Sequence, residues 1–390
     1  MKVALLTTES RDFYKEYHAS VPYFSTPVEA LLQGFEKISD LEVHLVSCVR
    51  ARMTSPEKLA PNVFFHPLYV PKIGWMRTAY FGCIRAVRGK LREISPDIVH
   101  GQGTERECAI AAALSGYPNV VTLHGIMTEM VSVLRARPGS FYWFASLLES
   151  FSLRRTAGVF CNSRFTEEAV RARCRKTWQV PNPIREKFFV KPWSGNHPVK
   201  PLIMNVGTVC AYKRQNELLD VLEEMHRNGS QFKVQFVGAA TRANAYGTRF
   251  LDRVQNSDYL SYGGFKTAAE LISSFDAASA LVHVSAVETF GLVVAEALAR
   301  NLKFFGFKVG GVPDIAQGVE GAEIVADGDW NGLKNAIGAW AQAGAPRPVS
   351  ASAAMRKKYH PEVVARRHHE IYREVLQSCS SLVKQRGDSP

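Results

Sequence analysis

Several signatures that would assign a chain to a class of protein are missing from this sequence of 390 residues. The seven cysteines are odd in number and include no C-x-x-C pair, which argues against a disulfide framework or a zinc site and for reduced thiols in a cytoplasmic protein. The N-terminal MKVALLTTES has too short an apolar run for a signal peptide. No uninterrupted apolar run of about 18 residues occurs, so no membrane span is expected.

The common nucleotide-binding and hydrolase motifs are missing as well. The first apolar segment is followed by TTESRDF rather than a G-x-G-x-x-G turn, and the GQG of residues 101–103 has no third glycine. No P-loop, H-E-x-x-H or G-x-S-x-G sequence is present. A dinucleotide-dependent dehydrogenase, a P-loop enzyme and a zinc protease are therefore poorly supported. No pair of acidic residues stands out as a metal site, and neither a metal nor a cofactor is expected.

The charge of the chain is strongly one-sided. The formal net charge is +12 with an isoelectric point near 9.4, which suggests an anionic partner such as nucleic acid, a membrane surface or a phosphorylated substrate. Residues 72–92 hold six basic and no acidic residues, with Trp75, Tyr80 and Phe81 among them. This composition favours a basic amphipathic surface segment that binds an anionic membrane. An ordinary solvated helix is the alternative.

Short apolar segments alternate with helical patterns along the chain. In the first half, KVALLTT, LEVHLVSCV, PDIVHGQG, NVVTLHG and AGVFCNS predict strands, with PVEALLQGFEKI, ECAIAAALSG and FTEEAVRARC as helices between them. A second series of the same kind runs from PLIMNVGTV to NLKFFGFK, and PEVVARRHHEIYREVLQ predicts the last helix. This alternation predicts an α/β protein with parallel sheets covered by helices on both faces.

A stretch with five prolines, QVPNPIREKFFVKPWSGNHPVKP, separates the two series. It predicts an N-terminal domain over residues 1–185, a linker over 186–200 and a C-terminal domain over 201–365. Residues 366–390 form a C-terminal helix and tail that can pack back on the first domain. Ligands of open α/β sheets bind at the carboxyl ends of the strands, so the strand ends that face the cleft between two such domains are where chemistry is expected.

The segment VETFGLVVAEALA places two glutamates eight positions apart around the start of a helix. Thr289 is predicted to cap a helix that starts near Phe290. The segment then presents the first-turn amides of Gly291, Leu292 and Val293, which predict an anion site suited to a diphosphate.

The two glutamates of this segment predict different contacts. Glu296 lies on the apolar body of the helix, where a carboxylate is stabilised if it accepts hydrogen bonds from the hydroxyls of a ribose. The alternative is that its side chain faces solvent. Glu288 precedes the helix and is better placed for neutral sugar hydroxyls than for phosphates, unless it is an ordinary loop glutamate.

VSAVETFGLVVAEALA resembles the E-x7-E signature of retaining glycosyltransferases of family 4, which have the GT-B fold of two Rossmann-like domains facing a central cleft. NVGTVCAYKRQNELLDVLEEM, YGGFKTAAELISSFDAASALVHVSAVE and FGFKVGGVPDIAQG are similar to segments that follow one another in that family. The resemblance covers nearly the whole chain, is specific over residues 201–318 and is loose before residue 96. It implies an N-terminal acceptor-binding domain and a C-terminal nucleotide-sugar-binding domain.

The resemblance also implies roles at matching positions. Glu296 would bind the nucleotide ribose, Glu288 the donor sugar, and Lys213 the leaving diphosphate. His124, in TLHG, would lie near the reacting sugar, although a His-Gly pair at a strand end can simply form a turn. The catalytic set is then His124, Lys213 and Glu288. The donor-binding set comprises Gly207, Thr208, Lys213, Arg214, Gly264, Phe265, Glu288, Phe290, Gly291, Leu292, Val293 and Glu296.

Two positions depart from the family pattern. Thr208 stands where the family has an arginine after the glycine of the first turn, and Arg214 is the candidate to replace it, although its side chain would point in a different direction. The region TTESRDFYKEYHASVPYFSTP also lacks the Gly-Gly pair that often follows the first strand in the family. The first-domain side of the donor and acceptor sites is therefore not assigned.

The function implied is a metal-independent, retaining hexosyltransferase-type enzyme. It would move a sugar from a UDP-, GDP- or ADP-sugar to a hydroxyl of a carbohydrate or lipid-linked acceptor in cell-envelope glycan, polysaccharide or glycolipid synthesis. It would be cytoplasmic or peripheral on the inner membrane face, without nucleic acid as a partner. A GT-B phosphorylase, a sugar-nucleotide epimerase, and a non-enzymatic protein that binds nucleic acid or a membrane surface are the alternatives.

Overall fold

The computed structural model describes residues 1–193 and 200–387. The described chain forms two compact units, one of Met1–Arg185 with the residues from Tyr359 to Gly387 and one that begins at Glu186 and ends at Lys358. Residues 194–199, which belong to the predicted linker, lie outside the described residues.

The first unit is built on an eight-stranded sheet in the order β3-β4-β2-β1-β5-β6-β7-β8. The strands are β1 Lys2–Leu6, β2 Glu42–Val49, β3 Lys58–Ala60, β4 Val63–Tyr69, β5 Ile98–Gln102, β6 Asn119–Leu123, β7 Gly158–Cys161 and β8 Thr177–Gln179. All neighbours pair in parallel except β3 and β4. The central strands are buried on both faces, as their continuous apolar runs predict for a parallel sheet.

Helices cover both faces of this sheet. They are α1 Ser10–Tyr14, α2 Thr26–Phe35, α3 Phe81–Ile94, α4 Glu107–Ala113, α5 Met127–Val133, α6 Phe141–Leu153 and α7 Arg164–Val170. One core cluster contains apolar side chains of α3 and α4, with Leu148 and Phe151 of α6 packed against it. Because α4 contacts both α3 and α6, these three helices form one layer. The other main cluster of the unit lies under α2.

The last helix, α15 Pro361–Gly387, belongs to the first unit. It packs on α2, and Ile371 and Tyr372 are fully buried in the same cluster as Phe35. The first unit resumes at Tyr359, six residues before the predicted boundary at residue 365. The physical reason is that Val364 and Ala365 are already core residues of the first unit.

The second unit contains a six-stranded parallel sheet in the order β11-β10-β9-β12-β13-β14. Its strands are β9 Leu202–Val206, β10 Lys233–Val237, β11 Leu260–Tyr262, β12 Ala280–His283, β13 Lys303–Phe307 and β14 Ala322–Val325. Its helices are α8 Gln215–Arg227, α9 Ala245–Gln255, α10 Ala268–Ala277, α11 Leu292–Ala299, α12 Val312–Ala316, α13 Trp330–Gln342 and α14 Ala351–Tyr359. Among the described residues, none of the helices combines the length and apolar character needed to cross a bilayer.

Candidate active site

Backbone hydrogen bonds of glycines join the carboxyl ends of three neighbouring strands in the second unit. The Gly207 amide donates to the Val237 carbonyl at 2.8 Å, and the Gly238 amide donates to the Gly264 carbonyl at the same distance. A Cβ atom on Gly238 would lie 2.2 Å from the Gly207 oxygen. The chain after β9 therefore approaches the chain after β10 as closely as backbone can. Gly264 adopts a left-handed φ of 64°, and the following Phe265 is 80% exposed.

Lys213 lies in the loop that leaves β9. The loop forms a 3-10 turn over Ala211–Lys213, and the buried Gln215 side chain donates to the Thr208 carbonyl at 3.1 Å. The Tyr212 carbonyl accepts a hydrogen bond of 2.7 Å from the Ala286 amide, beyond the end of β12. These bonds place the Lys213 side chain beside the loop that carries Glu288.

Glu288 is the centre of a compact polar cluster. Its Oε2 atom lies 2.8 Å from Nζ of Lys213 and 3.1 Å from Nε2 of His283. Its Oε1 atom accepts a hydrogen bond of 3.2 Å from the Gly291 amide. Two of the predicted residues, Lys213 and Glu288, therefore meet. His283, the last residue of β12, was missed from the sequence although it stands only five positions before Glu288.

The cluster sets the protonation of Glu288. Burial alone would raise the pKa of its carboxyl, but the hydrogen bond from His283 and the charge of Lys213 outweigh burial and hold the pKa well below its ordinary value. Burial lowers the pKa of His283, against the hydrogen bond to Glu288. At neutral pH Glu288 is therefore a carboxylate, and His283 is a neutral imidazole that donates to it from Nε2.

The predicted cap at Thr289 is wrong. Helix α11 begins at Leu292, and its N-cap is Gly291, with a left-handed φ of 98° and no side-chain cap. The Gly291 amide donates to Glu288, so Glu288 occupies one of the three amides assigned to a diphosphate. The amides of Leu292 and Val293 remain in the first turn, where a helix has no internal acceptors for them.

Glu296 lies within α11 and is only 4% exposed. The alternative that its side chain points to solvent is therefore wrong. Phe290 is also buried, at 3% exposure. Of the two glutamates of the E-x7-E pair, Glu288 therefore lies beyond the end of β12 and Glu296 is buried within α11.

Arg214 is held by an acidic partner that the sequence did not indicate. It adopts a left-handed φ of 56°, and its guanidinium lies 2.5 Å from a carboxylate oxygen of Asp327, just after β14. Its side chain also lies over the Phe307 ring at 5.9 Å. Thr208 is exposed at the end of β9. The Arg214 side chain therefore contacts the β14 side of the sheet and is not directed at Thr208.

A glycine pair after β13 was also missed as part of this site. Gly310 has a left-handed φ of 54°, and a Cβ atom there would lie 1.5 Å from the Glu288 carbonyl oxygen. The Gly311 amide donates to that oxygen at 3.1 Å. The dipeptide in KVGGVP therefore fixes the backbone of Glu288, and its position directly after a predicted strand was the available signal.

In the first unit, His124 follows β6 and contacts the end of β5. Its Nε2 atom lies 2.9 Å from Oε1 of Gln102, and in this amide orientation His124 donates. Nε2 of Gln102 lies 3.2 Å from Nε2 of His100, whose Nδ1 lies 2.6 Å from the Tyr372 hydroxyl. Burial lowers the pKa of His124 to about 4. A chain of neutral polar groups thus runs from α15 to His124.

Glu105 lies beside His124 and was missed from the sequence. A Cβ atom on Gly103 would lie 2.2 Å from a Glu105 carboxylate oxygen and 3.6 Å from the His124 ring. Gly103 has a left-handed φ of 85°, so this glycine lets the carboxyl fold back against the strand ends. Burial raises the pKa of Glu105 to about 7, and the charge of the buried Glu149 adds to this shift. Glu105 therefore changes protonation near neutral pH.

The region after β1 that lacks a Gly-Gly pair forms the short helix α1. Glu9 caps this helix and pairs with Arg11 at 2.7 Å, with both side chains fully buried. Arg11 also donates to Ser55 and to the carbonyls of Ala19 and Thr54. This region is therefore a tightly bonded part of the first unit.

The basic segment of residues 72–92 is partly core. Trp75 and Tyr80 of the predicted amphipathic segment are buried, whereas Phe81 is 66% exposed. Helix α3 is amphipathic, and its exposed side carries Arg85, Arg88 and Arg92. In the described ranges 1–193 and 200–387, no group of three or more His, Cys, Asp or Glu residues is placed to hold a metal ion.

Solved structures show which class this architecture belongs to. Sucrose-phosphate synthase from Thermosynechococcus elongatus superposes with a TM-score of 0.75 over 97% of this chain and 100% of that chain, at 17% identity. The Anabaena protein HepE in complex with UDP superposes with a TM-score of 0.69 over 96% of this chain and 100% of that chain, at 16% identity. The two α/β units with parallel sheets therefore have the GT-B fold.

Sequence comparison places the chain within that class. The model of Glycosyltransferase Family 4 matches residues 26–187, and the model of Glycosyl transferases group 1 matches residues 189–357. The chain therefore belongs to the family 4 glycosyltransferases. Sulfoquinovosyl transferase SQD2 of Arabidopsis thaliana is 26% identical over 122 residues, which are 31% of this chain and 22% of that protein. The chain thus matches about a fifth of the length of this curated relative.

Proposed function

We propose that this glycosyltransferase moves a hexosyl group from a nucleoside diphosphate sugar to an acceptor hydroxyl with retention at the anomeric carbon. A UDP-sugar is the first candidate donor, because HepE, which shares the fold, is solved with UDP. GDP- and ADP-sugars are the other candidates. No metal ion or cofactor is assigned to the reaction.

The observation that carries the proposal is the Lys213–Glu288–His283 cluster beside the first turn of α11. Lys213 supplies a positive charge at the end of β9, and the N-terminus of α11 supplies amides and the positive end of a helix dipole. Glu296 is assigned to the donor ribose, and Gly264 with Phe265 to the base. Together they provide separate groups for the phosphates, the ribose and the base of one donor.

The chemistry follows from where charge develops. The bond from the anomeric carbon to the diphosphate oxygen breaks, and its electron pair stays on the leaving diphosphate. The acceptor oxygen bonds to the same face of that carbon, and its proton passes to the departing phosphate oxygen. Lys213 and the start of α11 stabilise the negative charge as it forms. The same cationic groups support metal independence, which predicts unchanged turnover in excess chelator.

His124, in the first unit, is assigned to the reacting sugar, as the family resemblance implies. Burial keeps the imidazole neutral and the bond to Gln102 fixes its ring, which suits a residue that positions a sugar hydroxyl rather than one that carries charge. Glu105, next to it, is able to accept or donate a hydrogen bond near neutral pH. The acceptor is proposed to be a carbohydrate or a lipid-linked glycan, in keeping with a role in cell-envelope, polysaccharide or glycolipid synthesis.

A membrane contact through residues 72–92 is part of the proposal. Arg85, Arg88 and Arg92 are exposed on one helix whose opposite side is buried, and such an array attracts anionic lipid headgroups. This contact would hold the enzyme at the inner membrane face, near a lipid-linked acceptor. Charge reversal by Arg85→Glu with Arg88→Glu should weaken binding to phosphatidylglycerol vesicles, most strongly at low salt.

The test of the main proposal has two stages. Thermal unfolding is first measured with UDP-glucose, GDP-mannose and ADP-glucose, since a ligand at about 100 times its dissociation constant adds about 2.7 kcal/mol of stability. The stabilising donor is then incubated with candidate acceptors, and the anomeric configuration of the product is determined by NMR. An inverted product would contradict retention. Phosphorolysis, epimerisation of the donor, or nucleic-acid binding without donor binding would replace the proposal with the corresponding alternative.

A further inference from the structure

The α5–α6 hairpin has a composition unlike the rest of the first unit. Residues 130–165 contain five arginines and a single acidic residue, Glu149. Glu149 is fully buried, where it pairs with Arg173 and accepts from Thr104 and the Met127 amide. Apart from the half-buried Glu129 of α5, the charged side chains at the surface of this hairpin are therefore cationic, and aromatic residues accompany them.

The hairpin also exposes an apolar ridge, formed by five large side chains. They are between 39% and 49% exposed: Val133, Leu134, Phe141, Phe144 and Leu147. The last three recur every third residue along α6 and so follow one another on one side of the helix. Large apolar residues that are exposed together in this way indicate a surface that contacts a membrane or another protein.

The charges next to the ridge indicate the chemistry of its partner. Arg135 and Arg137 are exposed in the turn between α5 and α6, and in the part of the chain that the structure describes neither forms an ion pair. Tyr142 and Trp143 of the same helix are half-buried, and they are residue types that favour the boundary between headgroups and acyl chains. Apolar side chains flanked by unpaired arginines fit an anionic bilayer.

The ridge and the α3 arginines belong to the same layer of the first unit. Helix α4 packs between α3 and α6, and the outer sides of α3 and α6 both face away from the sheet. The α3 arginines supply long-range attraction, whereas the ridge supplies apolar area that salt does not screen. The two surfaces would therefore contribute different kinds of attraction, electrostatic and apolar, to the same bilayer.

We propose that the α5–α6 hairpin is a membrane-inserting element, in which Phe141, Phe144 and Leu147 enter the headgroup–acyl boundary of an anionic bilayer. This inference deepens the membrane contact within the proposed function and is independent of the donor and of retention. It assigns the apolar part of binding to α6, while the basic segment of residues 72–92 contributes the salt-sensitive part.

Vesicle sedimentation tests the inference. The triple variant Phe141→Ser, Phe144→Ser, Leu147→Ser should bind phosphatidylglycerol-containing vesicles at least tenfold more weakly than the wild type, and the difference should persist at high salt. The control is Val349→Ser, which removes an apolar side chain that is 79% exposed in the second unit and should leave binding unchanged. Donor-induced thermal stabilisation should be the same in all three proteins.

A variant that keeps the apolar ridge guards against misfolding as the cause. Phe144→Trp should bind vesicles like the wild type and add tryptophan fluorescence that is quenched by lipids brominated in their acyl chains. Binding without added quenching would overturn the inference. So would a triple variant that binds vesicles normally, or one that loses only self-association in sedimentation velocity, since the ridge would then join two copies of this chain. If the wild type does not bind vesicles at all, both proposed membrane contacts are wrong. Sugar transfer to a soluble acceptor can still be tested in that case.

Discussion

Lys213 and Glu288 form an ion pair with an Nζ–Oε2 distance of 2.8 Å, although 75 residues separate them in sequence. They stand just beyond β9 and β12, which are neighbours in the second sheet. Both side chains are largely buried, at 20% and 16% exposure. A diphosphate that approaches Lys213 therefore meets an ammonium group whose position is already fixed by a carboxylate.

The first prediction concerns this pair. Lys213→Ala and Glu288→Gln are each expected to lower kcat by at least about a hundredfold, because one removes the charge that stabilises the leaving group and the other removes the group that holds it. Since the two residues act together, the double variant should lose less than the product of the single effects. Steady-state kinetics of the purified variants measures all three values.

Lys334→Ala provides a matched control. Lys334 pairs with Glu224 at 2.7 Å on helices of the same unit, away from the strand ends, so its removal should leave kcat within about twofold. Full activity in Lys213→Ala would show that Lys213 does not stabilise the leaving group. Circular dichroism and thermal unfolding of each variant separate loss of function from loss of fold.

The local parts of the candidate site could be predicted from the sequence. The spacing of Glu288, Gly291 and Glu296 is contained within one loop and one helix, and their arrangement follows from helix geometry. The pairing of Lys213 with Glu288 was not predicted, because it depends on which strands are neighbours, whereas His283 was missed although its contact with Glu288 spans only five positions. The Thr289 cap failed because the left-handed Gly291 shortens the helix and brings its amide to Glu288.

The fold shows the same division between local and long-range information. Strongly apolar segments such as β1 and β12 were predicted as strands, and β4 was not, because Pro67 lies within it opposite Ser47 of β2. The hairpin of α5 and α6 gave no clear helical pattern, since its outward side is apolar too. The contact between His100 and Tyr372 spans 272 residues, and no local pattern encodes it.

The second prediction tests the polar chain that ends at His124. Tyr372→Phe removes the hydroxyl 2.6 Å from Nδ1 of His100, which should free the His100 ring and, through Gln102, loosen His124. We expect about 1 to 2 kcal/mol of lost stability and a kcat lowered by about three- to tenfold with unchanged donor affinity. Urea unfolding, kinetics and donor titration give the three quantities.

Tyr117→Phe serves as the control for that experiment. Its hydroxyl donates to the Leu91 carbonyl at 3.2 Å in the same unit, so the variant loses a comparable hydrogen bond without touching the chain to His124. A fall of kcat in both variants would assign the effect to general loosening of the first unit. An unchanged kcat in Tyr372→Phe would mean that α15 does not position His124.

The third prediction concerns the pH dependence of stability at Glu105. Its pKa is raised from 4.5 to about 7 by burial, so the unfolded chain ionises first as the pH rises. The wild type should therefore lose stability between about pH 4.5 and pH 7 and remain at the lower level above pH 7. Glu105→Gln keeps a neutral side chain and should gain up to about 2 kcal/mol over the wild type at pH 8, allowing for the fact that Glu105 as a residue is only half-buried.

The measurement is urea unfolding of both proteins from pH 5 to pH 8. Glu129→Gln, on the neighbouring helix α5, is the control and should follow the wild-type curve. If the stability difference between wild type and Glu105→Gln were the same at every pH, titration of Glu105 would not be its cause.

The fourth prediction concerns the arginine that the family has at the position of Thr208. Because Arg214 is held by Asp327 at 2.5 Å, Arg214→Ala should change the donor KM by no more than about threefold. Thr208→Arg should increase donor affinity by about tenfold or more, since a charged hydrogen bond to phosphate contributes about 1.5 to 3 kcal/mol. Isothermal titration with the nucleoside diphosphate compares the variants directly, and a large loss of affinity in Arg214→Ala would restore Arg214 as the substitute.

The fifth prediction tests whether the glycine pair after β13 fixes Glu288. In Gly310→Ala the added Cβ would lie 1.5 Å from the Glu288 carbonyl oxygen, so the loop must move and carry the carboxylate away from Lys213. Gly328 has a similar left-handed φ of 78° with nothing within 4 Å of its Cβ position, so Gly328→Ala reports the backbone strain alone, about 1 kcal/mol. Gly310→Ala should lower the free energy of unfolding by several kcal/mol more than Gly328→Ala does. It should also abolish donor-induced thermal stabilisation, which Gly328→Ala should retain. Equal behaviour of the two variants would mean that contact with the Glu288 backbone does not control the site.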